Sequence, residues 1–314
     1  MQRGILALTL LVLATGFGSA HDLEGLANPS LAIMNKLKVQ NLLSDAEKIP
    51  DSNARYVYSN ILRWTPGQKL KGCFVDGTDA ERKYVVETAT ELLEGKSVNI
   101  SFDFGSNTAF RSCSDHNELS DVRVSFSDGC CAAHIGRMAH HPDVKDGPTV
   151  FIQGVIKLES RKSRQVIMHE LIHTLGFDHE HQSPSIKCES EFNKSAVLKA
   201  YHWSEDDFKT NLAQLDKDSH YYKWSTYDSL SIMRYFFKPS FFVKGVSSPC
   251  YSAENYVPST LDYEGLREVY PITGPALSEE ATRDVLDGSA GFGVSHDLRA
   301  LALSLRPTSG VDPK

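Results

Sequence analysis

The chain has 314 residues, which is enough for one full-sized domain with extra segments or for two small domains. Hydrophobic residues make up 41% and charged residues 23%, proportions that are ordinary for a soluble globular protein. The net charge is −7 and the sequence shows no basic patch, which argues against a nucleic-acid partner.

Residues 1–20 have the pattern of a secretory signal peptide. Arg3 supplies a positive charge, residues 5–13 form a short apolar run, and residues 18–20 (Gly-Ser-Ala) fit the small-residue cleavage rule. A short membrane anchor is the alternative, but the run is shorter than the ~20 apolar residues that a spanning helix needs. We therefore expect cleavage after Ala20 and export of a soluble protein that has no membrane partner.

Residues 21–54 are modestly amphipathic, contain no cysteine, and end in a loop pattern after Pro50. In an exported protease this is the position of a propeptide, and an ordinary N-terminal helix of the folded domain is the alternative. At the other end of the chain, residues 273–314 are rich in Gly, Ser, Pro and charge, and we expect a flexible tail there.

The segment between these ends, residues 55–272, mixes strand and helix patterns. Strands are predicted at residues 69–75, 98–104, 121–126, 132–137 and 149–153. Helices are predicted at residues 78–93, 160–175 and 262–270. A further helix should begin after Ser204, because Ser204 and Asp207 have capping-box spacing. The second half is otherwise rich in loops, especially at residues 236–260.

The most informative stretch is residues 169–180, which read H-E-L-I-H-T-L-G-F-D-H-E. His169 and His173 are four residues apart, so they share one face of a helix and can bind one metal ion. We expect Gly176 to end the helix in the left-handed conformation, which allows His179 to supply a third ligand. A fourth position would remain for water, as in catalytic zinc sites.

Glu170 follows the first predicted ligand directly. A glutamate at this position can take a proton from a water molecule on the metal. A bare H-E-x-x-H also occurs on ordinary surface helices, but Gly176 and His179 at fixed offsets make a chance match rare. The sequence therefore predicts one catalytic zinc ion with Glu170 as the general base.

A second motif begins about fifty residues after His179, where residues 229–235 read S-L-S-I-M-R-Y. Together with the zinc motif, Phe177 and Glu180, it resembles the astacin branch of the metzincin zinc peptidases. Residues 128–137 and the stretch from Leu261 to Tyr270 are weaker similarities. The resemblance covers residues 55–272.

This resemblance implies a fold and an activity. The fold is the α+β metzincin fold, with an N-terminal twisted, mostly parallel sheet, two long helices, an irregular C-terminal subdomain and a cleft between the two parts. The activity is that of a secreted zinc metalloendopeptidase, most simply a monomer. An extended protein or peptide substrate would add as an antiparallel strand to the edge strand near residues 132–137, which gives affinity with little sequence selectivity.

The resemblance also implies roles for single residues. Met233 would form the apolar floor beneath the metal. Tyr235 would be a displaceable extra zinc ligand that later donates a hydrogen bond to the oxyanion. Glu180 would anchor the N-terminus of the mature enzyme. The alternatives are plain core packing for Met233 and Tyr235, and a solvated surface carboxylate for Glu180.

Some features depart from the family pattern or extend it. Arg234 stands where many astacins have histidine, which should change the charge near the S1′ subsite. The family's F-x-G-D latency motif is absent from residues 21–54, so latency by that device is not expected. His181 extends the zinc motif, and we interpret it as structural because three histidines already complete the ligand set.

The six cysteines all follow the predicted signal peptide, and an even number in an exported chain indicates disulfides. They are Cys73, Cys113, Cys130, Cys131, Cys188 and Cys250. The cysteine that astacins usually carry shortly before the zinc helix is missing, so the family's pairing cannot be copied in full. We expect Cys113 to pair with Cys130 or Cys131, and Cys250 to pair with Cys73 or Cys188.

Two rival interpretations remain for the whole chain. One is a catalytically silent binding protein that keeps the metzincin fold, and the presence of all predicted ligands and of Glu170 argues against it. The other is a different metzincin subfamily, and Glu180 and Tyr235 argue against that.

Overall fold

A computed structural model describes residues 56–59, 62–106, 109–115, 119–141, 144–217 and 222–272. The predicted signal peptide, propeptide and C-terminal tail lie outside the described residues. Among the described residues, no helix combines the length and the apolar character that crossing a bilayer requires.

The described part of the chain contains nine strands and five α-helices, joined by 3₁₀ turns and loops. The strands are β1 (Tyr58–Ser59), β2 (Lys69–Phe74), β3 (Ser101–Asp103), β4 (Gly105–Ser106), β5 (Ala109–Phe110), β6 (Val122–Ser125), β7 (Cys130–Ala133), β8 (Val150–Ile152) and β9 (Tyr222–Lys223). The helices are α1 (Asp79–Leu93), α2 (Ser160–Thr174), α3 (Lys194–Tyr201), α4 (Glu205–Leu212) and α5 (Thr260–Val269).

The central sheet has five strands in the order β3-β2-β6-β8-β7. The first four run parallel, and β7 pairs antiparallel with β8 at the edge of the sheet. Helices α1 and α2 share one hydrophobic core with this sheet, to which they contribute Leu92 and Leu171. The expected mostly parallel sheet with two long helices is therefore confirmed.

Helix starts follow the capping patterns in the sequence. Thr78 caps α1, since its hydroxyl oxygen accepts a hydrogen bond from the amide of Glu81. Ser204 caps α4 in the same way, with Asp207 completing the predicted capping box. The last helix begins at Thr260, earlier than predicted, because Ser259 is its N-cap.

Two predicted strands differ from the structure. The alternating pattern of residues 121–126 is typical of a half-buried strand, but all four residues of β6 are buried. Val122 and Val124 belong to the hydrophobic core, and Arg123 on the other face donates hydrogen bonds to the carbonyl oxygens of Ala139, Val144 and Gly147. The strand predicted at 132–137 is instead β7, which ends at Ala133. Gly136 then adopts a positive φ of 47° and begins a 3₁₀ turn, where a Cβ would lie 2.1 Å from the carbonyl oxygen of Leu62.

The irregular second half has a hydrophobic core of its own, built largely of aromatic side chains. It contains Phe192, Trp203, Phe208, Tyr235, Phe237, Phe241 and Phe242 among other residues. Phe237, Phe241 and Phe242 lie in the segment predicted to be rich in loops, and Phe208 lies on α4. Aromatic packing therefore joins loops and helices of this half into one hydrophobic core.

The disulfides correct one of the expected pairings. Cys73 pairs with Cys113 and not with Cys250, and Cys130 pairs with Cys131, so the expected link from Cys113 to this pair is wrong. The reason is topological, since Phe74 at the end of β2 bridges Ser112 and so brings Cys113 beside Cys73, with Cα atoms 5.0 Å apart. Of the two partners left open for Cys250, the structure selects Cys188.

Candidate metal centre and active site

Helix α2 places the first two predicted ligands and the predicted base in the core of the molecule. His169, Glu170 and His173 lie on its last two turns, and Glu170 is only 1% exposed. The helix ends as predicted at Gly176, which has a φ of 97°. A side chain at this glycine would meet the Cα of Arg63 at 3.2 Å, so the turn requires glycine for space as well as for conformation.

Side chains from distant parts of the chain satisfy the carbonyl groups at this helix end, which have no partners within the helix. The indole nitrogen of Trp64 donates to the carbonyl oxygen of Thr174 at 2.7 Å. The hydroxyl of Tyr270 donates to the carbonyl oxygen of Leu175 at 2.5 Å. These bonds fix the direction in which the chain leaves α2 and therefore the position of His179.

The three predicted histidine ligands converge on one point. Nε2 of His173 lies 3.1 Å from Nε2 of His169 and 3.0 Å from Nε2 of His179. All three rings are buried, and the potential ligand atoms lie within 4.8 Å of one another. The structure therefore brings together residues that the sequence separates by up to ten positions.

The outer nitrogens of these rings show that the inner ones are acceptors. Nδ1 of His169 lies 2.8 Å from the carbonyl oxygen of Ile232, and Nδ1 of His173 lies 2.7 Å from that of Phe177. A carbonyl oxygen can only accept, so each Nδ1 carries the proton and each Nε2 presents a lone pair. Buried lone pairs that point at one another repel, and a cation between them removes this repulsion. Three imidazole rings are a common ligand set of catalytic zinc.

The electrostatics of the site agree with metal binding. Burial, together with the neighbouring His169, holds the pKa of His173 well below its ordinary value. Burial and the neighbouring histidines act in the same direction on the pKa of His179. These two rings therefore stay neutral at physiological pH, which is the state in which histidine binds a metal.

Tyr235 lies beside the histidine cluster. Its ring centroid is 4.4 Å from that of His179 and 6.4 Å from that of His169, and the side chain is 5% exposed. This position fits the predicted role at the metal, and the burial fits plain packing equally well.

His181 makes contacts that fit the structural interpretation. Its Nδ1 accepts a hydrogen bond from the backbone amide of Tyr235 at 3.2 Å, and its Nε2 donates to the carbonyl oxygen of Asn211 at 2.9 Å. Both ring nitrogens are thereby used in holding the chain. A fourth histidine ligand from this position is not expected.

Met233 and Glu180 are in backbone contact and line the same cavity. Both are buried, and both line a small cavity together with Tyr56, Val57 and Asp262. Met233 also belongs to the hydrophobic core that contains α2. The side chain of Met233 is thus placed in the apolar layer next to the ligand helix.

Glu180 is only 3% exposed, so the alternative of a solvated surface carboxylate is wrong. Its Oε1 accepts a hydrogen bond from the backbone amide of Asp228 at 2.9 Å. Burial raises the pKa of Glu180 well above its ordinary value, and the nearby carboxylates of Asp262 and Asp228 add to the shift. A cation placed in the adjacent cavity would relieve this cost.

Asp262 is a supporting residue whose role the sequence did not reveal. Its carboxylate accepts hydrogen bonds from the amide of Ile232 at 2.9 Å, the hydroxyl of Ser231 at 2.6 Å and the amide of Ser259 at 2.7 Å. It thus fastens the turn before Met233 to the start of α5. The spacing of Ser259 and Asp262 in the sequence indicates a capping box at the start of α5. No sequence pattern indicates the hydrogen bonds from Asp262 to Ser231 and Ile232.

Arg234 is buried in the irregular subdomain and is not an exposed charge. The residue is 4% exposed, and its guanidinium donates to the hydroxyl of Tyr227 and to the carbonyl oxygen of Cys250 at 3.2 and 3.0 Å. It also donates to the hydroxyl of Ser252. These bonds keep Arg234 inside the irregular subdomain.

Comparison with known proteins agrees with this site. A sequence model of the astacin peptidase family matches residues 78–255, which contain both motifs. A solved structure of myroilysin is 24% identical over 69% of this chain and 100% of that chain, with a TM-score of 0.58, and supports the fold.

Two further solved structures match less closely. A second myroilysin structure is 24% identical over 70% of this chain and 92% of that chain, with a TM-score of 0.47. High choriolytic enzyme 1, a hatching enzyme zinc-protease from the medaka fish Oryzias latipes, is 17% identical over 72% of this chain and 98% of that chain, with a TM-score of 0.41. A comparison with curated proteins gives no match.

Proposed function

Because the chain belongs to the astacin family and is a zinc metallopeptidase, we propose that it is a secreted endopeptidase that uses Glu170 as its general base. One observation carries this proposal. The three buried histidines converge through their Nε2 atoms, and the helix that bears two of them also bears Glu170 between them. This arrangement supports Glu170 as the proton acceptor of the site.

The residues of the chain have separate tasks in the proposed reaction. A bound zinc ion would polarise the scissile carbonyl group and lower the pKa of its water towards ~7. Glu170 takes the proton of the attacking water and later delivers it to the leaving amine. Tyr235 donates a hydrogen bond to the developing oxyanion, and its ring position beside His179 supports this task.

Substrate binding would use the edge of the sheet. Strand β7 lies at that edge and pairs only with β8 within the described sheet. An extended peptide or protein segment would add there as a further antiparallel strand, which gives affinity through backbone hydrogen bonds. We propose that the enzyme acts as a monomer on such substrates and has neither a nucleic-acid nor a membrane partner.

Glu180 would serve the maturation of the enzyme. The cavity beside its carboxylate is also lined by Tyr56 and Val57, close to the expected end of the propeptide at residue 54. Removal of the propeptide would create a positively charged amino terminus near this cavity. An ion pair or a water bridge between this terminus and Glu180 would balance the buried charge. Export follows the predicted signal peptide, and the disulfides fit an oxidising compartment.

A zinc assay with a protein substrate tests the proposed function. Purified mature protein should contain zinc, degrade azocasein, lose this activity with a zinc chelator and recover it when zinc is restored. The catalytically silent alternative predicts zinc binding without azocasein cleavage at any enzyme concentration. A loss of activity that zinc does not restore would argue against a zinc-dependent reaction.

A further inference from the structure

The side chain of Gln182 lies between the third ligand and helix α4. Its Oε1 is 3.2 Å from Nδ1 of His179. Its Nε2 donates hydrogen bonds to the carbonyl oxygens of Thr210 and Ala213, each at 3.1 Å. Gln182 is buried, so one amide group connects the metal centre with the C-terminal end of α4.

These contacts fix the orientation of the amide. The group that faces the two carbonyl oxygens of Thr210 and Ala213 must be the NH₂ group, because a carbonyl oxygen only accepts. The Oε1 atom of Gln182 therefore faces His179, and Nδ1 of His179 must carry the proton. The lone pair of that ring then lies on Nε2, the atom that points towards the other two ligands.

His179 differs from the other two ligands in the kind of partner it has. Nδ1 of His169 and Nδ1 of His173 face backbone carbonyl oxygens, which no substitution removes. Nδ1 of His179 faces a side chain. The orientation of the third ligand therefore depends on one replaceable residue, Gln182.

Further contacts fix Gln182 to the C-terminal end of α4. The carbonyl oxygen of Gln182 accepts a hydrogen bond from the amide of Leu215 at 2.8 Å. The neighbouring His181 donates to the carbonyl oxygen of Asn211 at 2.9 Å. Leu212 at the end of the helix is fully buried in the aromatic core of the irregular subdomain. Hydrogen bonds from both His181 and Gln182 therefore hold the segment after His179 against the end of α4.

We propose that Gln182 is a positioning residue of the zinc site, which selects the Nδ1–H tautomer of His179 and links its orientation to the packing of α4. The inference rests on the zinc-binding role proposed for His179. Partners of this kind typically change metal affinity by about 10–100-fold when they are removed. The effect should appear in metal binding itself, before any catalytic step.

Competition with a chromophoric chelator measures the zinc affinity of the wild type and of three variants. Q182M keeps the volume but removes the amide, and it should bind zinc roughly 10–100-fold more weakly. Q182E keeps an oxygen acceptor towards Nδ1 but sets a second oxygen against the carbonyl oxygens of Thr210 and Ala213, so its zinc affinity should lie between those of the wild type and Q182M. Q165M is the matched control, since Gln165 is also buried but its amide donates to the carbonyl oxygen of Asn255, and its affinity should stay within about twofold of the wild type.

The inference is overturned if Q182M binds zinc within about twofold of the wild type. It is also overturned if Q182E binds as tightly as the wild type, because the bonds to α4 would then contribute nothing. Histidine-selective ¹⁵N NMR of the zinc-free protein tests the tautomer directly, because zinc on Nε2 would leave the proton on Nδ1 whether or not Gln182 is present. The wild type should hold the proton of His179 on Nδ1 and Q182M should lose this preference, and a wild-type proton on Nε2 would overturn the inference. A wild-type protein that binds no zinc would instead contradict the zinc site itself.

Discussion

The backbone amide of Glu180 donates a hydrogen bond to the carbonyl oxygen of Met233 over 2.9 Å. This bond joins the end of the zinc-binding motif to the methionine turn, two stretches that lie about fifty residues apart in the sequence. Because Tyr235 follows Met233 by two residues, the same contact helps to carry its ring to His179. The two motifs therefore form one site through backbone geometry as well as through side chains.

Replacing Tyr235 by phenylalanine tests the oxyanion role. Y235F keeps the ring packing beside His179 but removes the hydroxyl donor, so kcat should fall by roughly 10²-fold while KM changes little. Steady-state kinetics on a peptide substrate measure both constants. Y256F is a suitable control, since the hydroxyl of Tyr256 donates to Glu254 outside the site. An unchanged kcat for Y235F would leave packing as the only role of Tyr235.

Sequencing the N-terminus of active enzyme tests the propeptide and the role of Glu180. We expect one start after Ala20 and a second, in the active form, near residues 53–55, because that cleavage would free an amino group close to the cavity of Glu180. E180Q should lower the stability of the processed form more than that of the unprocessed form, as measured by thermal unfolding. The propeptide hypothesis is contradicted if active material begins only after Ala20.

Asp262 should make the stability of the fold depend on pH. Burial raises the pKa of Asp262 from 3.8 to about 6 in the folded protein, so the fold favours its protonated form. The contribution of Asp262 is therefore fully present below pH ~4 and is lost as pH rises through about 6, a change of about 3 kcal/mol.

Urea unfolding of zinc-free protein between pH 4 and pH 7 measures this dependence, with D262N as the reference. Zinc-free protein is needed because zinc binding itself depends on pH, so a bound metal ion would add a pH-dependent stabilisation of its own. The wild type should lose free energy of unfolding relative to D262N as the pH rises. A difference between the two proteins that stays constant across this range would show that the buried carboxyl keeps its ordinary pKa.

The local part of the site was predictable from the sequence. The four-residue spacing of His169 and His173 needs only helical geometry, and Gly176 ends the helix through its own conformational freedom. The capping boxes at Ser204 and Ser259 are likewise local, because the bonded groups lie three residues apart. The spacing of residues within one helix is therefore enough to predict the first two ligands and the helix ends.

The disulfide pairing and the supporting contacts of the site depend on which distant segments of the chain pack together. Local sequence patterns do not indicate such long-range packing. Cys113 pairs with Cys73 because residue 112 bridges the end of β2, a contact between segments about forty residues apart. Gln182 and Asp262 support the site through partners about thirty residues away. Their residue types fit many environments, so their roles appear only in the folded chain.

The central claim is that Glu170 is the base of a zinc-dependent peptidase, and E170A tests it most directly. Glu170 is no ligand in the three-histidine set, so the variant should bind zinc in the same amount as the wild type. Its turnover should nevertheless fall by roughly 10²–10⁴-fold, because the water loses its proton acceptor. Zinc content and azocasein turnover, measured on the same preparation, decide the question. Full zinc with near-zero turnover is the predicted result, and full zinc with wild-type turnover would contradict the claim.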